Sequence, residues 1–281
     1  MWSNIPIFRK DNLKINYIKE GEGEPLVLVN GYCCKLESWN FQISFFKQKM
    51  TVIALDLRGV GKSSRPNDPY TLDTLVEDIK DLLEFLNIQE QIHICGFSNG
   101  GFIVQKFALK YPSLVKTLML FESGPYVPPL TFEQFLTFVE TFFKDSTPEK
   151  IIQMMLHNMF SLSFRKKLKR DKELIELYKN DMGLVAQLKD PPRYQDYINQ
   201  WMIIKDFDTR ELLHAITQPT LILLVFKNAK ERDDLKDLEA IFEKIPDSTI
   251  ELLEGIGHGL IIEAPEIVNK LMWNFLKVHV F

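Results

Sequence analysis

Apolar positions along this chain follow two rhythms, and their alternation predicts the architecture. Pro25-Leu26-Val27-Leu28-Val29 and Thr51-Val52-Ile53-Ala54-Leu55 are continuous runs, as expected for strands covered on both faces. Gln91–Cys95, Val115–Phe121, Thr220–Phe226 and Thr249–Leu253 are further strand candidates. Ile5 and Ile7, then Leu13, Ile15 and Tyr17, alternate around Lys10-Asp11-Asn12, which predicts an N-terminal hairpin. Leu72, Leu75, Val76, Ile79, Leu82, Leu83 and Leu86 instead recur at helical spacing, with Thr71 placed to cap the first turn. Helices are also predicted over Gly101–Tyr111, stopped by Pro112, and over Leu235–Lys244 and Pro265–Leu276. Strands alternating with helices predict an α/β fold with a doubly wound, mostly parallel sheet. The ligand site then belongs at the carboxyl ends of the strands. Gly31-Tyr32, Ser98, Glu122 and Asn228 fall at those ends.

Residues 125–211 break the rhythm. They open with Pro125-Tyr126-Val127-Pro128-Pro129, contain no convincing strand and are rich in Phe and Met. The expected organisation is a core of residues 1–124 and 212–281 with a helical cap inserted at 125–211, over the strand ends. Phe132, Phe135, Phe138, Phe142, Phe143, Met154, Met155, Met159, Phe160 and Phe164 are its main apolar members. Most would form the insertion's own core and a minority would line a greasy pocket; spacing does not say which.

An apolar share of 46% over 281 residues supports a substantial packed core. The 34 basic and 38 acidic residues give a net charge of −4 with the signs interspersed, so nothing points to nucleic acid. The basic run Arg165–Arg170 is followed by Asp171 and Glu173 and reads as a solvated helix face. Met1-Trp2-Ser3-Asn4-Ile5-Pro6 lacks the pattern of a secretion signal, and no apolar run is long enough to span a bilayer. Three cysteines suggest reduced thiols and a cytoplasmic setting. No Cys/His spacing suggests a metal site, and no cofactor is expected. Oligomeric state is not readable.

Gly96-Phe97-Ser98-Asn99-Gly100-Gly101 stands between a strand-like and a helix-like run. A Gly-x-Ser-x-Gly turn at such a junction holds its serine on a tight bend, with the hydroxyl projecting beside exposed amides. A nucleophile needs that access, and the oxyanion it generates needs those donors.

With these elements placed, the chain resembles the α/β-hydrolase superfamily over nearly its full length. Val27-Leu28-Val29-Asn30-Gly31-Tyr32 is similar to the strand and loop that supply half of the oxyanion hole, and Asp56-Leu57-Arg58-Gly59-Val60-Gly61-Lys62-Ser63 to a structural loop of that family. Gly96–Gly101 resembles the nucleophile elbow, and Gly255-Ile256-Gly257-His258 with Glu263-x-Pro265 resembles the histidine loop and final helix. The resemblance implies Ser98 as nucleophile, His258 as general base, and the backbone amides of Tyr32 and Asn99 as the oxyanion hole. Asp56, Arg58 and Ser63 are expected to be structural, tying a loop beneath the sheet edge. His93 reads as a packed core residue, and His157, His214 and His279 as helix or surface residues.

Two positions depart from the pattern. Asn30 replaces the usual histidine of the His-Gly pair, and its amide can donate similar hydrogen bonds. Val225-Phe226-Lys227-Asn228 stands where the family's Gly-x-x-Asp supplies the acid that orients the histidine. Glu122 is the leading substitute, because a branch of the related haloalkane dehalogenases takes its acid from that neighbouring strand end; alternatively it only caps the turn into the insertion. Asp233 and Asp234 come third. Serine at the elbow disfavours epoxide-hydrolase and haloalkane-dehalogenase chemistry, whose related enzymes use aspartate there. The resemblance implies a carboxylesterase-like serine hydrolase acting through an acyl-enzyme on small to medium apolar esters. Lactonase, thioesterase and carbon–carbon bond hydrolase activities are alternatives, as is a degenerate hydrolase-fold binding protein.

Overall fold

The computed structural model describes residues 6–129, 132–141, 147–172 and 190–280. Residues 1–5, including Ile5, and Phe142 and Phe143 of the greasy segment lie outside the described residues, as do the side chains of Phe132, Phe138 and Met155. The strands are β1 Ile7–Lys10, β2 Leu13–Glu20, β3 Pro25–Val29, β4 Thr51–Leu55, β5 Ile92–Phe97, β6 Val115–Phe121, β7 Thr220–Phe226 and β8 Ser248–Glu254. They form one 8-stranded sheet in the order β1-β2-β4-β3-β5-β6-β7-β8. β1 and β2 form an antiparallel hairpin in which Lys10 pairs with Leu13. β2 runs antiparallel to β4, and β4, β3, β5, β6, β7 and β8 pair in parallel.

The pleat sorts each buried strand between two cores, which is why these runs are apolar throughout. Val27 and Val29 of β3 face one side, with Leu75, Ile79, Val104, Phe107 and Phe242; Leu26 and Leu28 face the other, with Trp39, Ile43, Phe46, Val268 and Met272. The first side is covered by α2 (Leu72–Phe85) and α3 (Asn99–Lys110). Thr71 caps α2 in a reciprocal capping box with Thr74. The second side is covered by α1 (Asn40–Phe46) and, at the chain's end, by the final helix Pro265–Leu276.

Between β6 and β7 the described residues form helices α4 Phe132–Val139, α5 Pro148–Met159, α6 Leu162–Arg170 and α7 Tyr194–Met202. The two ends of this segment meet at a neck. Tyr126 bridges Asp208, the Val127 amide donates to the Phe207 carbonyl at 3.0 Å, and the Thr209 amide donates to the Pro125 carbonyl at 2.7 Å. After β7 come α8 (Ala229–Phe242) and, beyond β8, α9 (Leu260–Glu263) and α10 (Pro265–Leu276). No helix among the described residues is long and apolar enough to cross a membrane.

Candidate active site

Parallel strands deliver their C-terminal loops to one edge of the sheet, and the sharpest turn there follows β5. Ser98 has φ 52° and ψ −120°, a left-handed conformation that costs a residue with a Cβ. The turn survives because its neighbours lack side chains: a Cβ on Gly96 would lie 2.4 Å from the Gly100 carbonyl oxygen, and one on Gly100 would lie 2.3 Å from that of Val29. The Ser98 amide is tied to the Phe121 carbonyl at 2.8 Å, which pins the bend to β6. Asn99 opens α3, so its amide has no carbonyl one turn earlier within the helix. The loop after β3 packs on the same elbow, since a Cβ on Gly31 would come within 3.1 Å of Ser98 Cβ. The amides of Tyr32 and Asn99 therefore belong to segments that flank Ser98.

His258 reaches this edge from the loop after β8, where Gly255 takes φ 75°. Its Nε2 lies 3.0 Å from Ser98 Oγ, across 160 positions of sequence. Its Nδ1 lies 2.9 Å from Glu122 Oε2. Glu122 follows β6 with φ 49°, and its own amide donates to the Leu223 carbonyl at 2.8 Å. Its second oxygen, Oε1, accepts the Val225 amide at 2.7 Å. The carboxylate thus bridges the end of β7 and the imidazole, with its side chain 13% exposed and that of His258 33% exposed.

The other acid candidates go elsewhere. Asn228 Oδ1 accepts the Glu231 amide at 3.1 Å and caps α8. Asp233 and Asp234 are exposed on α8, and Asp233 pairs with Lys236 at 2.7 Å. Asn30 is fully buried, its Nδ2 donating a long 3.5 Å bond to the Leu55 carbonyl.

One contact had no signal in the sequence. The Tyr32 hydroxyl donates to the Tyr197 carbonyl on α7 at 2.7 Å, although the resemblance assigns importance only to the Tyr32 backbone. Around it, Cys33, Phe135, Val139, Tyr197 and Trp201 form a small apolar cluster, with Phe135 stacked on Trp201 at 4.3 Å. The loop that carries the Tyr32 amide is thereby packed against α4 and α7. Phe160 and Phe164 are buried in the core beneath α10, whereas Met154 and Met159 are half-buried.

The model of the alpha/beta hydrolase fold family matches residues 24–265. The chain belongs to that family. This α/β-hydrolase is 29% identical to epoxide hydrolase 4 of Homo sapiens, over 96% of this chain and 77% of that protein. It is 26% identical to 3-oxoadipate enol-lactonase 2 of Acinetobacter baylyi, over 97% of this chain and 99% of that one. Among solved structures, MGS-M2, an alpha/beta hydrolase enzyme from a Medee basin deep-sea metagenome library, superposes with a TM-score of 0.81. The two chains are 22% identical, covering 97% of each. Family and relatives together make the chain a hydrolase.

The loop after β4 is held by its own polar contacts. Asp56, almost wholly buried, accepts from Asn16 Nδ2 at 2.7 Å, the Leu36 amide at 2.9 Å and the Lys62 amide at 3.2 Å. Burial outweighs those donors and raises its carboxyl from 3.8 to about 6. Arg58 forks onto Asp78, and Ser63 Oγ donates to the Asp56 carbonyl. His93 is fully buried between Thr117 and Glu24, where desolvation lowers its pKa. His157 and His214 are exposed, and His279 is half-buried beside Phe275.

Proposed function

We propose that this α/β-hydrolase is a serine esterase in which Ser98, His258 and Glu122 act as a catalytic triad. The observation that carries the reading is the continuous line from Ser98 Oγ through both imidazole nitrogens to Glu122, at 3.0 and 2.9 Å, starting from a strained, projecting serine. Ser98 Oγ attacks the ester carbonyl carbon while His258 Nε2 takes its proton. The carbonyl π electrons pass to oxygen, and the resulting oxyanion is received by the amides of Tyr32 and Asn99. His258 returns the proton to the departing alkoxide, which leaves an acyl-enzyme at Ser98. Water, deprotonated by His258, then releases the carboxylic acid and restores the serine. Glu122 holds Nδ1–H toward itself throughout, so Nε2 stays free to accept.

Serine chemistry also separates this chain from its epoxide-hydrolase relatives. A carboxylate that opens an epoxide forms an ester, which water can cleave. Ser98 opening an epoxide would form an alkyl ether, which water and imidazole cannot, so the enzyme would stop after one event. An ester or a lactone gives a cleavable acyl-enzyme; a lactone differs only in that the leaving alkoxide stays tethered. The segment between β6 and β7 serves as the cap, and its richness in Phe and Met supports small to medium apolar acyl groups.

Hydrolysis of p-nitrophenyl esters of graded chain length tests this directly. Wild type is expected to turn over and to take up one fluorophosphonate at Ser98 by intact mass, while Ser98→Ala does neither. Equal rates for the two proteins refute the mechanism. A folded wild type that takes up no probe supports the non-catalytic binding protein instead.

A further inference from the structure

His258 is held from both sides. The amide of Gly257, which precedes it, donates to Glu263 Oε2 at 3.0 Å; the amide of Gly259, which follows it, donates to the Met159 carbonyl at 2.7 Å. Met159 ends α5, so half of this support comes from the segment between β6 and β7. Glu263, at the end of α9, joins the two halves. The same carboxylate accepts from the Ser161 amide at 2.9 Å and from the Ser161 hydroxyl. Nothing separates the parts: a Cβ on Gly257 would lie 2.5 Å from the Met159 carbonyl oxygen, and one on Gly259 would lie 2.7 Å from the buried Phe160 ring.

We propose that Glu263 is a positioning residue for His258, tying the Phe160–Ser161 corner of the helical segment to the histidine loop so that the two move as one body. The proposal rests on the serine-hydrolase role of Ser98 and His258. The chemistry of the corner favours a carboxylate there. Its two oxygens can receive several donors at once, and charge-assisted bonds are about twice as strong as neutral ones. Without it, the Gly257 amide loses its anchor in a stretch that already contains the left-handed Gly255. A ring shifted by ~1 Å can cost about a hundredfold in rate, even when the substitution lies outside the reacting groups. Such a loss falls on kcat, because ester binding makes no use of the His258–Ser98 alignment.

The test uses Glu263→Ala, Glu263→Gln and Ser161→Pro. Ser161 has φ −63°, which proline adopts, and the preceding Phe160 is extended at φ −119° and ψ 148°. Proline there removes both Ser161 donors and the hydroxyl that caps α6, and its ring, standing where the N–H was, crowds the Glu263 oxygen that also accepts from Gly257. The readouts are kcat and KM on p-nitrophenyl esters, the downfield proton resonance of His258 Nδ1–H, and the rate of fluorophosphonate uptake at Ser98. Glu263→Ala is expected to lower kcat about 10- to 100-fold with KM little changed, and to broaden the Nδ1 proton. Ser161→Pro shifts both in the same direction. Glu263→Gln, whose side-chain oxygen still accepts from Gly257, recovers most of kcat. Wild-type kcat and proton signal in Glu263→Ala overturn the proposal, as does a loss wholly explained by a smaller folded fraction or confined to KM. If Glu263→Ala does not fold, Ser161→Pro decides alone, and a wild-type kcat and proton signal there overturn the proposal. Failure of the probe to label wild type sinks the serine mechanism and this role with it; labelling of wild type and Glu263→Ala at equal rates sinks only the role of Glu263.

Discussion

Replacing Glu122 by Gln tests the candidate triad at its least expected member. The substitution keeps the shape of the side chain and its ability to accept the Val225 amide through one oxygen. With that oxygen so engaged, the new NH2 faces His258 Nδ1, which must then accept a hydrogen bond rather than donate one. The imidazole carries its proton on Nε2, and Ser98 loses its base. The amide can flip to restore the useful tautomer, but its NH2 then opposes the part-buried Val225 N–H, an unmet donor costing about 1–3 kcal/mol. Charge is lost as well. A carboxylate and an imidazolium with charge centres about 4 Å apart contribute about 4 kcal/mol at an effective dielectric near 20, and roughly half of that is retained with His258 one-third exposed. The sum, about 3–5 kcal/mol, corresponds to between about 10² and 10⁴ in turnover. Stability should change little, because the Val225 amide stays satisfied. The assay is kcat on a p-nitrophenyl ester beside a urea melt of the same sample. Turnover near the wild-type level in Glu122→Gln would remove Glu122 from the mechanism and leave it as a turn cap.

Three further outcomes are expected. Ser98→Gly abolishes turnover and, by releasing a left-handed strain of about 1–3 kcal/mol offset by glycine's greater unfolded-state entropy, unfolds about 1 kcal/mol less readily than Ser98→Ala; identical thermal midpoints would contradict this. Asn228→Ala costs about 1 kcal/mol by uncapping α8 and leaves turnover unchanged, and Asn228→Asp restores no activity to Glu122→Gln; restored activity would show that the end of β7 still reaches His258. Because burial raises the Asp56 carboxyl to about 6, the folded chain holds that proton more tightly than the unfolded one. The stability linked to it is full below about pH 4 and is lost as pH rises toward about 6. Asp56→Asn should flatten the urea midpoint across that window, and an unaltered slope would refute the linkage.

β3, β4, β6 and β7 occupy the residues their apolar runs predict, because a strand buried on both faces carries few polar positions; in β6 these are Lys116 and Thr117, beside its start. Short or polar helices were not legible. α1 buries Gln42, Ile43 and Phe46 within seven residues, too short for a helical period to show. α8 begins at Ala229, six positions before its first large apolar residue, Leu235, because Asn228 caps a charged first turn. Ser98 and His258 were readable from the glycines that their loops require. Glu122 was readable only as one of several acids, since its role depends on β6 lying beside β7. The side-chain contacts of Tyr32 and Glu263 depend on where the segment between β6 and β7 comes down, and no local pattern encodes that.

The neck where Pro125 and Tyr126 meet Asp208 and Thr209 lets the chain leave the sheet and return at nearly the same point. A segment joined at one place can in principle be exchanged for another like a cassette, and substrate scope would travel with it while the strands stayed as they are. The corner at Ser161 sets a condition on that trade. On the proposed roles of Glu263 and His258, any transplant would have to bring its own donors for Glu263, or it would recognise a new substrate and leave the imidazole adrift.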